Sequence, residues 1–280
     1  MSDRVKIVTQ TIFMFVFIDD ILKSLGLQTD KRAKCADSEI MTTAFIAALH
    51  FGGNHADAIG FVQESGLMPR MVGESRFNRR WHKLADMAAE LFFQLGHVIK
   101  NMDSMLTYRV DSFPVRSCHN IRIRRSKLFK GEAYRGYNAS KHEYFYGIKV
   151  FIITNADNKP VEYTFTPGSL SEIGGFRQLP LQLPEKAELY GDSGFTDYGH
   201  EDDLKEAQQL DLKIARKKNA KRRHEPWDNF LINAERKPIE TTFSQMTALL
   251  SRKIHAVTQR GFLLKMVMLI FAFTLDRFIN

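Results

Sequence analysis

Apolar residues recur along the first hundred positions with the spacing of helices. Asp37-Ser38-Glu39 supplies capping chemistry for a run of helix formers from Ile40 to Leu49. Gly52-Gly53-Asn54 breaks that run. A short helix fits Ala56 to Gln63, ended by Gly66 and Pro69. A third begins near Ser75 and places Phe77, Trp81, Leu84, Met87 and Ala88 on one side. Its other side carries Arg76, Arg79, Arg80 and Lys83.

The period changes after Met105. Tyr108-Arg109-Val110 reads as a strand leading into Asp111, and Tyr144 to Thr154 is rich in aromatic and β-branched residues. Asn155-Ala156-Asp157-Asn158 makes a turn into a second alternating run, Pro160 to Thr166, so the two form a hairpin. A short helix over Glu172 to Gln178 follows, then a strand at Ala187 to Gly191, a helix over Thr196 to Gln209 and a strand at Leu212 to Ala215. From Arg236 the chain reads as helical to its end. Antiparallel strands followed by βαβ units predict an α/β fold, a mixed sheet with flanking helices, preceded by an all-α region. The expected boundary lies between residues 105 and 106.

Two apolar runs, Ile12 to Ile18 and Met266 to Phe273, are much shorter than the roughly 20 residues of a membrane span and are expected to be buried helices. Asp19-Asp20 follows the first with no small-residue cleavage site, which fits a signal peptide poorly. Hydrophobic residues make up 44% of the 280-residue chain and charged residues 26%, which excludes disorder as the default. Two distant cysteines, Cys35 and Cys118, exclude a disulfide framework and fit a reducing cytoplasm. The net charge of +8 favours a polyanionic partner, nucleic acid or an acidic membrane surface.

Three carboxylates carry the candidate chemistry. Asp111 ends the first strand, Asp192 follows the fourth, and Glu240 lies early in the helix after the fifth. Asp111 and Asp192 become neighbours if strands one and four pair, and a helix across the strand ends brings Glu240 to them. Convergent carboxylates repel, and divalent Mg²⁺ relieves that repulsion because hard cations take oxygen ligands. Two such ions about 4 Å apart serve phosphodiester cleavage. Spacing alone leaves other acids open for the third place: Glu235, Asp228, Glu201, Asp202 and Asp203. Each acid taken singly also reads as a turn, cap or solvated residue.

Two basic runs contain no acid. Arg122, Arg124, Arg125, Lys127 and Lys130 lie between the first two strands, with Tyr134, Tyr137 and Tyr144 after them. Lys213, Arg216, Lys217, Lys218, Lys221, Arg222 and Arg223 close the fifth strand. Both suit DNA phosphates; solvated loops are the commoner fate of such runs. The three N-terminal helices suit a helix-turn-helix-like DNA module, with Asn78 as an adenine reader, or a bundle whose basic face meets water. His119 and His142 read as ordinary hydrogen-bonded or exposed histidines. No Gly-rich nucleotide loop is present.

Several segments resemble the catalytic domain of bacterial insertion-sequence transposases of the DDE type: Val110-Asp111-Ser112-Phe113-Pro114-Val115, Tyr146-Gly147-Ile148-Lys149-Val150, Gly191-Asp192-Ser193-Gly194-Phe195 and Arg236-Lys237-Pro238-Ile239-Glu240-Thr241-Thr242-Phe243. Asp37-Ser38-Glu39-Ile40 and Ser75-Arg76-Phe77-Asn78-Arg79-Arg80 resemble the N-terminal region of the branch named insertion sequence nine-eight-two. The resemblance implies an RNase H-like fold and a catalytic, metal-holding triad of Asp111, Asp192 and Glu240 with Mg²⁺ or Mn²⁺. Arg236 stands for the family's arginine near the glutamate. The implied partner is double-stranded DNA, both terminal inverted repeats and target, bound by a homodimer in the bacterial cytoplasm at the nucleoid, with no membrane role. The implied reaction is cleavage at transposon ends and strand transfer. The chain departs from the pattern at Ser193, where relatives carry a lysine, and at Asn233 and Thr247, where broader relatives carry tyrosine and lysine. A metal-dependent nuclease or resolvase without strand transfer, and a non-catalytic DNA-binding regulator, are the competing functions.

Overall fold

The computed structural model describes residues 3–279, apart from 28, 31, 140, 252 and 253. The chain forms two compact units, Met1–Phe92 with Met246–Asn280, and Phe93–Gln245.

The first unit is helical. It contains α1 (Asp3–Ser24), α2 (Asp37–His50), α3 (His55–Glu64), α4 (Glu74–Lys83), most of the first half of α5 (Ala85–Met102), and α10 (Gln259–Ile279). α2 begins at Asp37, but the expected Asp/Ser cap does not form: Asp37 and Ser38 lie inside the helix, Ala36 caps it with no side-chain bond, and the Glu39 carboxylate accepts the Ala36 N–H at 2.5 Å. α2 and α10 are buried along most of their lengths, and Phe45 packs on Phe271 at 4.7 Å between ring centroids. The Met266 to Phe273 run is therefore core, and no helix among the described residues is long and apolar enough to cross a membrane.

The N-terminal run is only half-buried. Met14, Ile18 and Leu22 form the inward stripe, whereas Ile12, Phe13 and Val16 are exposed. The expected single helix from Ser75 through Ala88 is two, divided at the buried Leu84. No glycine or proline marks that break; packing sets it.

The second unit is built on a six-stranded sheet: β1 (Thr107–Cys118), β2 (Arg135–Asn138), β3 (Glu143–Asn155), β4 (Pro160–Pro167), β5 (Glu188–Gly191) and β6 (Asp211–Ile214). The order is β2-β3-β1-β5-β6, with β4 also paired to β3. β1, β3 and β4 are antiparallel, and β5 and β6 run parallel to β1. This mixed sheet with flanking helices is RNase H-like. The expected first strand extends past Asp111 to Cys118, because β3 continues to pair with it through Tyr146. The helices are α6 (Glu172–Phe176), α7 (Tyr198–Gln208), α8 (Pro226–Arg236) and α9 (Pro238–Leu249), the last ending in the first unit's sequence range.

β2 and α8 were not expected from the pattern. α8 carries a start signal in Pro226 at its first turn. Its Ile232 is buried with Tyr190 of β5 and Ala215 beside β6, which fixes the helix next to the strand that leads into Asp192.

Candidate active site

Pairing of β5 with β1 covers only Thr107 to Arg109, so the two strands part just before Asp111. β5 ends at Gly191, and Asp192 begins the turn beyond it. Asp111 and Asp192 thereby line one cavity of about 300 Å³, with Ser112, Lys149, Glu172 and Lys217. The Ser112 N–H donates to Asp111 at 2.7 Å, and the Gly194 N–H donates to Asp192.

Glu240 does not line that cavity. It is linked to it by Arg236, whose guanidinium lies 3.8 Å from the Asp192 carboxylate and 3.9 Å from that of Glu240. Pro238 separates α8 from α9, so Arg236 closes one helix and Glu240 lies in the first turn of the next. Three of the competing acids are committed elsewhere. Glu235 pairs with the buried Arg109 at 2.7 Å, Glu201 with Arg216, and Asp202 with Arg222 at 2.6 Å.

Glu172 is an acid of this cavity that no local pattern revealed. It opens α6, where it accepts from Ser112 Oγ and from Lys149 Nζ, both at 2.7 Å. Lys149 also donates to the Leu170 carbonyl at 2.8 Å. The helix is close enough to the sheet for these bonds because residue 175 is glycine: a Cβ there would lie 2.1 Å from the Phe151 ring.

Burial pushes the Asp111 carboxyl up to about 7; the nearby Asp192 and Glu172 charges add to the rise, while the Ser112 N–H and Arg236 oppose it. The folded state thus holds a proton that the unfolded chain releases near pH 4. Stability falls as pH rises from about 4 to about 7, and the cost is fully present above that range. Asp111→Asn is therefore expected to stabilise the metal-free protein by a few kcal/mol at pH 8 and by almost nothing at pH 4. Urea unfolding in EDTA at both pH values checks this; an equal offset at the two would contradict it.

Among the described residues no three His, Cys, Asp or Glu side chains stand close enough to share one ion. Arg236 occupies the position between Asp192 and Glu240 where a cation would compensate both. The donor set still fits a hard divalent cation. It offers carboxylate oxygens, and burial, with the Asp192 and Glu172 charges, drives Asp111 toward its neutral form, a drive that a bound cation would oppose.

The basic residues named from sequence divide into two kinds. Arg122, Arg124, Arg125, Lys127 and Lys130 are all exposed around a 3-10 turn, Asn120–Arg125, that packs against β3. Lys218, Lys221 and Arg223 are exposed, and Lys217 reaches the acid cavity. Arg216 and Arg222 are instead bidentate to Glu201 and Asp202, and both lie over the Tyr198 ring at 5.0 Å. Lys213 pairs with Asp211 at 2.7 Å. In the helical unit Arg76, Arg79 and Lys83 are exposed, Arg80 bonds Cys35 and Asp37, and Asn78 bonds His55.

The family model described as the transposase DDE domain matches residues 105–275, well over half of the chain. No curated protein and no solved structure matches it.

Proposed function

The chain belongs to the transposase DDE-domain family, and on that premise we propose that it cleaves DNA at transposon ends and transfers the freed 3′ strands into target DNA. The observation that carries this reading is the meeting of Asp111 and Asp192 in one cavity, with Arg236 joining Asp192 to Glu240. Asp111, Asp192 and Glu240 would hold Mg²⁺ or Mn²⁺, which when bound supplies Lewis-acid activation of the attacking and leaving oxygens. Without a metal, Asp111 holds a proton below about pH 7, and it would give that proton up on taking a cation. Lys217 and Lys149 bring positive charge to the cavity wall, where relatives place a lysine directly after the second aspartate. Lys149 is held by Glu172, so among the described residues lining the cavity Lys217 is the cation left to meet a scissile phosphate.

In sequence the catalytic domain spans 106–280, with α10 completing the helical core, and residues 1–105 form the DNA-binding region. The exposed Arg122–Lys130 and Lys217–Arg223 runs contact phosphates of double-stranded DNA on either side of the cut. The protein acts as a homodimer on terminal inverted repeats, in the bacterial cytoplasm, and falls in the nine-eight-two branch of insertion sequences.

Incubation of the purified protein with Mg²⁺, a donor fragment ending in the element's inverted repeats and a supercoiled target tests the reading. Products in which donor 3′ ends are covalently joined to target are expected. Cleaved donor with no joined product would replace strand transfer by simple nuclease action.

A further inference from the structure

The basic face of α4 belongs to a concave surface built from three separate stretches of the helical unit. Arg32 and Lys34 come from the segment before α2, Arg70 from the turn after α3, and Arg76, Arg79 and Lys83 from α4 itself. They line two adjoining depressions of about 580 and 390 Å³ that share Ala33, Lys34, Val72 and Arg76. Among the described residues no acid lines either one. Among the described residues none of these six cations has an acidic partner within salt-bridge distance. By contrast, Arg109, Arg216 and Arg222 are each closely neutralised by a carboxylate. Six like charges brought together without compensation oppose folding, and a polyanion reverses that cost.

Arg80 acts differently. Its guanidinium donates to the Cys35 carbonyl at 2.7 Å and pairs with Asp37. It ties the 32–35 segment to α4 and so builds the groove rather than lining it with free charge.

Asn78, the residue of α4 suited to read an adenine edge, is turned away. Two positions beyond Arg76, it lies about 200° around the helix. Its Oδ1 is 2.7 Å from Nδ1 of the buried His55, and it lines a different cavity with His55, Trp81 and Glu74, the one acid of α4. What α4 presents on the groove side is charge on long side chains, which neutralises phosphate without distinguishing sequence.

We propose that this groove, Arg32, Lys34 and Arg70 with the Arg76–Arg79–Lys83 face of α4, seats the phosphate backbone of duplex DNA and reads no base. The inference rests on the proposed action on DNA and assigns α4 to sequence-independent grip, in place of the base-reading role that its sequence suggested.

The test uses the full-length protein and labelled duplexes of about 30 bp with unrelated sequences, titrated over a range of KCl concentrations. Lys34→Gln, Arg70→Gln and Arg76→Gln should each make the slope of log affinity against log salt shallower by about 0.9 and weaken binding equally on every sequence. Arg76→Lys should keep the wild-type slope. Asn78→Ala should leave affinity and sequence preference unchanged. Unchanged slopes in all three Gln variants would overturn the proposal. So would an Asn78→Ala protein that loses a preference wild type shows in selection from a randomised duplex pool. Substitutions that weaken binding to phosphatidylserine vesicles but not to DNA would overturn it in favour of a membrane surface. The two readings fail separately. Wild type that joins DNA ends while the Gln variants keep its slope sinks the groove alone. Slopes that fall as stated, in a protein that never cuts, sink the transposase reading alone.

Discussion

Replacing Asp111 or Asp192 by Asn lowers DNA strand cleavage by about three orders of magnitude, a barrier increase of about 4 kcal/mol, while duplex affinity stays nearly unchanged. The two acids share a cavity, and each carries part of the negative charge that a divalent cation must meet there. Asn keeps the size and removes that charge, so the loss is specific to chemistry. The exposed basic runs proposed to contact phosphate lie outside the substitution, so duplex affinity is expected to persist. Single-turnover cleavage, with binding measured separately in Ca²⁺, checks both halves. Retention of more than a tenth of wild-type cleavage by either variant would contradict the account.

The largest effect on stability is expected away from the site. Lys100 of α5 and Glu162 of β4 form an ion pair at 2.7 Å with side chains only 5% and 1% exposed. Lys100 also donates to the Gln182 carbonyl at 2.7 Å, and the Gln182 N–H donates to Glu162 at 3.0 Å. The group thus fastens the end of α5 and the 182 segment to the hairpin strand beside β3. Among the described residues Glu162 Oε2 has no hydrogen-bond partner, and Lys100 is the only cation paired with this carboxylate. Lys100→Met leaves it buried and uncompensated, at a cost of about 3–5 kcal/mol. The Lys100→Met/Glu162→Leu double variant should recover most of that loss, since an apolar pair of similar volume removes the stranded charge. Denaturant midpoints of the single and double variants make the comparison. A Lys100→Met protein as stable as wild type would show that the pair contributes nothing.

The fold was legible where the local pattern is strong. β3 and β4 alternate around a turn with Asn158 at φ 60°, and their hairpin register follows from that turn. The strand leading into Asp192 and the turn after it are equally plain. What the sequence concealed are relations between distant residues. Glu172 lies in a helix that was expected, but its hydrogen bond to Ser112 spans 60 positions, and no spacing reveals it. The bond from Arg109 to Glu235 spans 126 and removes Glu235 from competition for the third acid. A basic helical face likewise reads as uniform until packing assigns Arg80 to Asp37 and turns Asn78 toward His55. α8 was missed although Pro226 signals its start: Ile232 is its one buried residue, and its other large apolar residues, Trp227, Phe230 and Leu231, are exposed.

Arg236 bridges Asp192 and Glu240 while burial moves Asp111 toward its protonated form. If these acids hold a divalent cation as proposed, its binding releases a proton and is expected to strengthen as pH rises through about 7. Equilibrium Mn²⁺ binding, followed by electron paramagnetic resonance at pH 6 and pH 8 without DNA, tests the metal-holding role of these acids directly. The account predicts tighter binding at pH 8 for wild type and its loss in Asp111→Asn and Asp192→Asn. Mn²⁺ binding that is the same in all three proteins, and the same at both pH values, would contradict it.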